Sequence, residues 1–193
     1  GLNIGDSEQP DKIIAKGDFL IVMKNKKYVK FYGDPTLSQE GAKASKLIQS
    51  LPGNYRDIST IKLGYSEDVA VITKEFLDNQ FTYTMHILRK LKDVDGKDFF
   101  LIDKTFKIWT TKDDFEDIQM TSRESDIIVA MRAKRELISN YIRMLAIKKD
   151  TQGYSVVATA NVIPYVERLI QSYSLFYIGQ NSVAILTCSG GII

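Results

Sequence analysis

The sequence predicts an α+β fold, an antiparallel sheet with helices, on three observations. Stretches that alternate apolar and polar residues at strand spacing are interleaved with stretches whose apolar residues recur at helical spacing. The connections between these stretches are short, which favours one compact domain over two. Of the 193 residues 44% are apolar, with only 4 Pro and 12 Gly, so the chain can bury a core and is not disordered, collagen-like or of low complexity.

Residues 1–12 lack apolar periodicity and read as a flexible N-terminal arm. The run Asp18 to Met23, the polar turn at Lys24, Asn25 and Lys26, and the stretch Tyr28 to Tyr32 read as a β-hairpin. Asp34-Pro35 offers an N-cap and first-turn proline for a helix with Leu37, Ala44, Leu47, Ile48 and Leu51 on one stripe, ended by Pro52-Gly53. Ile58 to Tyr65 reads as a strand. Ser66, Glu67 and Asp68 then provide the cap and acidic first turn of a helix whose stripe is Val69, Ile72 and Phe76.

From Phe81 to Leu91, Phe81, Tyr83, Met85 and Ile87 alternate with Thr82, Thr84 and His86, which predicts a strand with one wet face. The segment DVDGKD makes a tight turn into a returning strand, Phe99 to Thr110. Ser125 to Lys149 places Ala130, Leu137, Ile138, Tyr141, Met144 and Leu145 on one half of a helical cylinder, with Arg132, Arg135, Ser139 and Arg143 on the other, and is expected to be a long helix. Gly153 breaks it and Tyr154 to Ala160 reads as a strand. Asn161 with Pro164 opens a last helix carrying Val162, Val166, Leu169 and Tyr173, and Leu175–Ile178 with Val183–Cys188 form a closing hairpin before a loose tail, 189–193.

The resulting order is ββαβαββαβαββ. Its middle, from Ile58 to Ala160, is βαββαβ, a ferredoxin-like order extended by N- and C-terminal β-hairpins within a single domain, 13–188. The same string also divides into two ββαβα halves, although the residues show no repeat.

The net charge of +2, from 26 Lys+Arg against 24 Asp+Glu, argues against a protein that coats nucleic acid. Along the chain the charges are uneven: residues 1–64 hold 10 basic and 7 acidic, 65–125 hold 9 and 13, and 126–193 hold 7 and 4. Opposed patches of this kind suit self-association or a charged protein partner. Cys188 is the single cysteine, so an intrachain disulfide and a Cys-rich zinc site are excluded. No apolar run reaches the length that spans a bilayer, and the polar N-terminal residues do not resemble a signal peptide. The chain starts at Gly1 rather than Met, which reads as a mature or trimmed product in a cytoplasmic or virion setting.

His86 is the lone histidine and is expected to be a solvated or hydrogen-bonded surface residue. A nucleophilic pair of His86 with Cys188 would be needed for a cysteine-dependent enzyme, because a thiol needs a base to become thiolate, but no motif brings the two together. The Asp93–Asp98 turn departs from calcium-loop spacing, since Gly96 stands one position early. Asp113, Asp114, Glu116 and Asp117 form an acidic run that could meet a basic partner, and Tyr173, Phe176 and Tyr177 a cluster that could stack on one. Arg132, Arg135 and Arg143, on the outer face of the long helix, are the candidate phosphate contacts. Nucleotide-loop, dinucleotide-binding, zinc-protease and serine-hydrolase motifs are absent from the sequence, and no cofactor or metal is expected. The leading expectation is a non-enzymatic subunit that works by protein contact or self-association in a larger assembly, such as a virion or secretion apparatus. A nucleic-acid-binding protein and a cysteine-dependent enzyme are the alternatives.

Overall fold

A computed structural model describes residues 9–16, 19–33, 46–64, 66–96, 98–134, 141–163, 170–180 and 182–189. Those residues form strands and turns with no helix, so the α+β expectation, with its ferredoxin-like middle, is overturned in favour of an all-β fold. The strands are β1 (Lys12–Lys16), β2 (Phe19–Lys24), β3 (Tyr28–Gly33), β4 (Lys46–Pro52), β5 (Tyr55–Lys62), β6 (Val69–Leu77), β7 (Gln80–Lys92), β8 (Asp98–Thr111), β9 (Phe115–Arg123), β10 (Asp126–Ala133), β11 (Ile142–Asp150), β12 (Gly153–Val162), β13 (Ile170–Ile178) and β14 (Ser182–Ser189). They pair with chain neighbours into three four-stranded antiparallel sheets, β1–β4, β5–β8 and β9–β12, and a two-stranded sheet, β13–β14. The chain divides into two compact units, Gly1–Lys62 with Glu67–Trp109, and Leu63–Ser66 with Thr110–Ile193.

In the first unit, sheets β1–β4 and β5–β8 lie face to face. Phe19, Ile21 and Met23 of β2 and Phe31 of β3 share one core with Ile58 of β5, Val69 and Val71 of β6 and Leu88 of β7. The first strands of the two sheets run beside each other, joined by Lys12 Nζ, 2.6 Å from Asp57 Oδ1 and 3.0 Å from the Ile58 carbonyl. Strand β6 is buried on its other face too, where Ala70 and Ile72 stand opposite Ile87 and Met85. Double burial removes the reason for a polar residue at every second position, and the run Val69-Ala70-Val71-Ile72 is the result. Such a run satisfies an i, i+3 stripe by accident, which is why a helix was expected here. The turn that follows, Asp78 (φ 51°) and Asn79 (φ 59°), is a two-residue reversal with both positions left-handed, and it closes the β6–β7 hairpin at Leu77 and Gln80.

The second unit repeats the arrangement. Sheet β9–β12 faces the β13–β14 hairpin through Ala130 of β10, Ile142 and Met144 of β11, Tyr173 and Leu175 of β13, and Ile185 of β14. Strand β13 lies along β9, again first strand beside first strand. The expected helix over 125–149 is instead the hairpin β10–β11, with Ile127 opposite Ile147 and Arg132 opposite Ile142. Strand β10 is buried on both faces as well, Ile127, Val129 and Met131 on one and Ala130 on the other, and Ile-Ile-Val supplies the β-branched side chains a pleated surface packs well.

The other expected helices fall in the same way. Residues 46–52 are strand β4, while 34–45 lie outside the described residues; residues 161–162 end β12 and 170–173 begin β13, with 164–169 outside them. The expected hairpins β2–β3, β7–β8 and β13–β14 and the strand β12 are present. Among the described residues there is no helix long and apolar enough to cross a membrane.

Candidate functional site

Part of the acidic run and one of the candidate arginines, Arg132, meet each other in the second unit. Glu116 and Asp117 belong to β9, and Arg132 of β10 stands across from Glu116 in the pairing register. Arg132 Nη2 is 3.3 Å from Glu116 Oε1 and its Nε 3.9 Å from Asp117 Oδ2, while Nη1 donates to the Ile170 carbonyl at 2.9 Å. Next in register, Lys134 Nζ is 3.3 Å from Asp114 Oδ2, and the Lys134 amide donates to the Asp114 carbonyl at 3.0 Å. Three carboxylates of the acidic run are thus paired with basic residues of the adjacent strand. Asp117 is left-handed (φ 54°) beside a register shift between Ala130 and Arg132, so a bulge aims this pair of strands toward β13.

Tyr173 closes this network. Its hydroxyl donates toward the carbonyls of Ala130, at 2.8 Å, and Asp117, and Gln119 Nε2 donates to the Tyr173 carbonyl at 2.6 Å. Burial, and next the Asp117 carboxylate, raise the Tyr173 phenol above its ordinary range, so it stays a neutral donor. Arg132 Nε is buried without a hydrogen-bond partner, and the remaining contacts make the cluster a clamp between β9, β10 and β13.

The three arginines share no helical face. Arg132 is buried in the clamp, Arg143 on β11 donates from Nη1 to Asn161 Oδ1 at 2.9 Å, and Arg135 lies outside the described residues. Of the acidic run, the Asp113 amide donates to Thr111 Oγ1 at 3.1 Å, and burial, then the Asp113 carboxylate, raises the phenol of Tyr141.

His86 departs from its expected wet face. It is 4% exposed, with Nε2 3.0 Å from Thr73 Oγ1 and Nδ1 3.0 Å from Thr105 Oγ1, and Phe31 packs edge-on at 5.8 Å. Thr82 of the same face is buried too. Burial pushes the imidazole down to about 4. With both ring nitrogens engaged by threonines, His86 is a structural residue, and Cys188 stands exposed on β14 of the other unit. In the Asp93 turn the Asp95 and Gly96 amides donate back to Asp93, to Oδ1 at 2.9 Å and to the carbonyl at 3.0 Å, and Gly96 takes φ 76°. Among the described residues no group of three or more His, Cys, Asp and Glu side chains gathers as metal ligands would.

The aromatic cluster expected near the C-terminus is split by the strand pleat. Tyr173 and Tyr177 fall on the face of β13 turned to the core, where burial, then Asp126, raises the Tyr177 phenol. Phe176 lies on the opposite face. There the pairing Phe176 to Ala184, Ile178 to Ser182 and Ser174 to Leu186 gathers three apolar side chains on one side of the hairpin. Phe176 is 38% exposed, Ile178 49% and Leu186 63%. Ile178 and Leu186 were not among the expected site residues. Their signal in the sequence is a strand pair with apolar residues on both phases and no charge. No family model matches this chain, and no curated protein matches its sequence.

Proposed function

We propose that this chain is a non-enzymatic assembly module that works by protein contact through the β13–β14 hairpin. The observation that supports this reading is the open apolar face of Phe176, Ile178 and Leu186, on a sheet whose other face is already packed against a core. Strands β2 and β6, by contrast, are buried along nearly their whole lengths. An exposed patch of this kind on a folded domain marks a place where another surface sits. The test is the mass of the purified chain in solution across a concentration series, together with retention of protein partners, for the wild type and for Phe176→Ser with Leu186→Ser. Association or partner retention that the double variant loses, with its fold unchanged by circular dichroism, is the expected result. A wild-type chain that stays monomeric and retains no partner ends the proposal.

A further inference from the structure

In the turn that joins β7 to β8, three aspartates meet different fates. Asp93 Oδ1 accepts the Asp95 amide at 2.9 Å, and the Asp98 carboxylate lies 3.1 Å from Lys90 Nζ and 3.8 Å from Lys92 Nζ. Among the described residues nothing bonds to the carboxylate of Asp95. It stands exposed at the tip, between Val94, which is fully exposed, and Gly96. A Cβ built on Gly96 would meet nothing within 4 Å, so open space lies beside this part of the main chain. Asp95 is also the one aspartate of the sequence that precedes a glycine; every other aspartate precedes a residue with a side chain.

A free carboxyl group followed by a main-chain nitrogen with no Cβ beside it is the arrangement in which isomerisation of the chain is least hindered. We infer that Asp95 is a modification site, at which the chain acquires an isoaspartyl link and so becomes a substrate for methyl transfer to the carboxylate this creates. The Gly96 nitrogen attacks Cγ of Asp95 in its acid form. The new C–N bond closes a succinimide ring, and the carboxyl hydroxyl leaves with the amide proton as water. Water then adds to the main-chain carbonyl carbon of Asp95 and breaks its bond to nitrogen. The chain now runs through Cβ and Cγ, and the former main-chain carbonyl is a free carboxylate. The water lost is regained, so the composition is unchanged, nothing is oxidised or reduced, and water is the sole co-reactant. One contact resists the first step: the Gly96 amide donates to the Asp93 carbonyl at 3.0 Å. That bond sits at an exposed hairpin tip, where local opening costs least.

The test incubates the full folded chain for weeks in warm neutral buffer. Isoaspartate is then located by peptide mapping and by methyl transfer from S-adenosylmethionine with an isoaspartyl methyltransferase. Methylation should rise with time and map to the β7–β8 turn, at a rate within roughly tenfold of that in the urea-unfolded chain, since a single main-chain hydrogen bond has to open. Asp95→Glu keeps the charge but needs a larger ring, and should lose the signal while its circular dichroism stays that of the wild type. A folded chain in which Asp95 stays intact overturns the inference, and reaction of the unfolded chain alone would mean that the bond to Asp93 protects the turn. Methylation that maps only elsewhere, or that is undiminished in Asp95→Glu, overturns it as well.

Discussion

Acidification should destabilise the first unit through His86, and the size of the effect follows from the site. In the folded chain the imidazole is held neutral to about pH 4 by burial, whereas the unfolded chain takes up that proton at about 6.5. The threonine hydroxyls beside it can accept as well as donate, so desolvation of the charge, not a lost hydrogen bond, is what resists protonation. A lowered histidine value makes the unfolded state the better proton acceptor. Stability contributed by the neutral ring is complete above about pH 6.5 and is lost as the pH falls to about 4, below which both states carry the proton. The gap between 6.5 and about 4, at about 1.4 kcal/mol for each pH unit, gives a loss of about 3 kcal/mol. Urea unfolding followed by Trp109 fluorescence, at steps from pH 7 to pH 4, measures it, because Trp109 stacks on Tyr83 in the same unit at 5.8 Å. His86→Gln keeps a group that can donate and accept between Thr73 and Thr105 but cannot titrate, and should lack this part of the pH dependence. Carboxylates such as Glu67, lowered by its hydrogen bond to Lys90, titrate in both proteins and cancel in the difference. Equal pH dependence of the two proteins across this window, or a histidine that titrates at its ordinary value by nuclear magnetic resonance, would refute the reasoning.

Arg132→Met should cost about 2 kcal/mol by urea midpoint, since it strips Glu116 and Asp117 of their cation and Ile170 of a donor, with the partial exposure of the two carboxylates softening the loss. An unchanged midpoint would mean that the clamp contributes nothing. Gly64→Ala should lower the thermal midpoint by the equivalent of about 2 kcal/mol, because Gly64 is left-handed at φ 40° and a Cβ there would stand 2.7 Å from the Glu124 carbonyl oxygen. A variant as stable as the wild type would show that the Gly64 and Glu124 backbones can move apart freely.

Where one face of a strand differs from the other, or where a polar turn joins two apolar runs, the pattern was readable in the residues. Asn25 and Lys26 take the left-handed turn between β2 and β3, and Gly96 the one before β8. The Asp78-Asn79 pair carried the same signal between apolar runs, and reading it would have turned the helix expected at Val69 into a hairpin. The candidate site was legible only in part. Phe176 was identified, whereas Ile178 and Leu186 join it only because the β13–β14 register stacks alternate residues of two strands on one side. Arg132 and the acidic run were identified as opposite charges, but their pairing depends on a strand register that no linear count contains.

The residues alone determined a chain with an adequate core, one thiol, one imidazole, nearly balanced charge and hairpins wherever polar turns punctuate apolar runs. Tertiary structure decided that the rest is strand. When a sheet is covered on both faces, as at β6 and β10, the two-residue period of the strand disappears and apolar residues stand in sequence. Such a run is equally compatible with a helix buried all round, and only the neighbouring sheets choose between them.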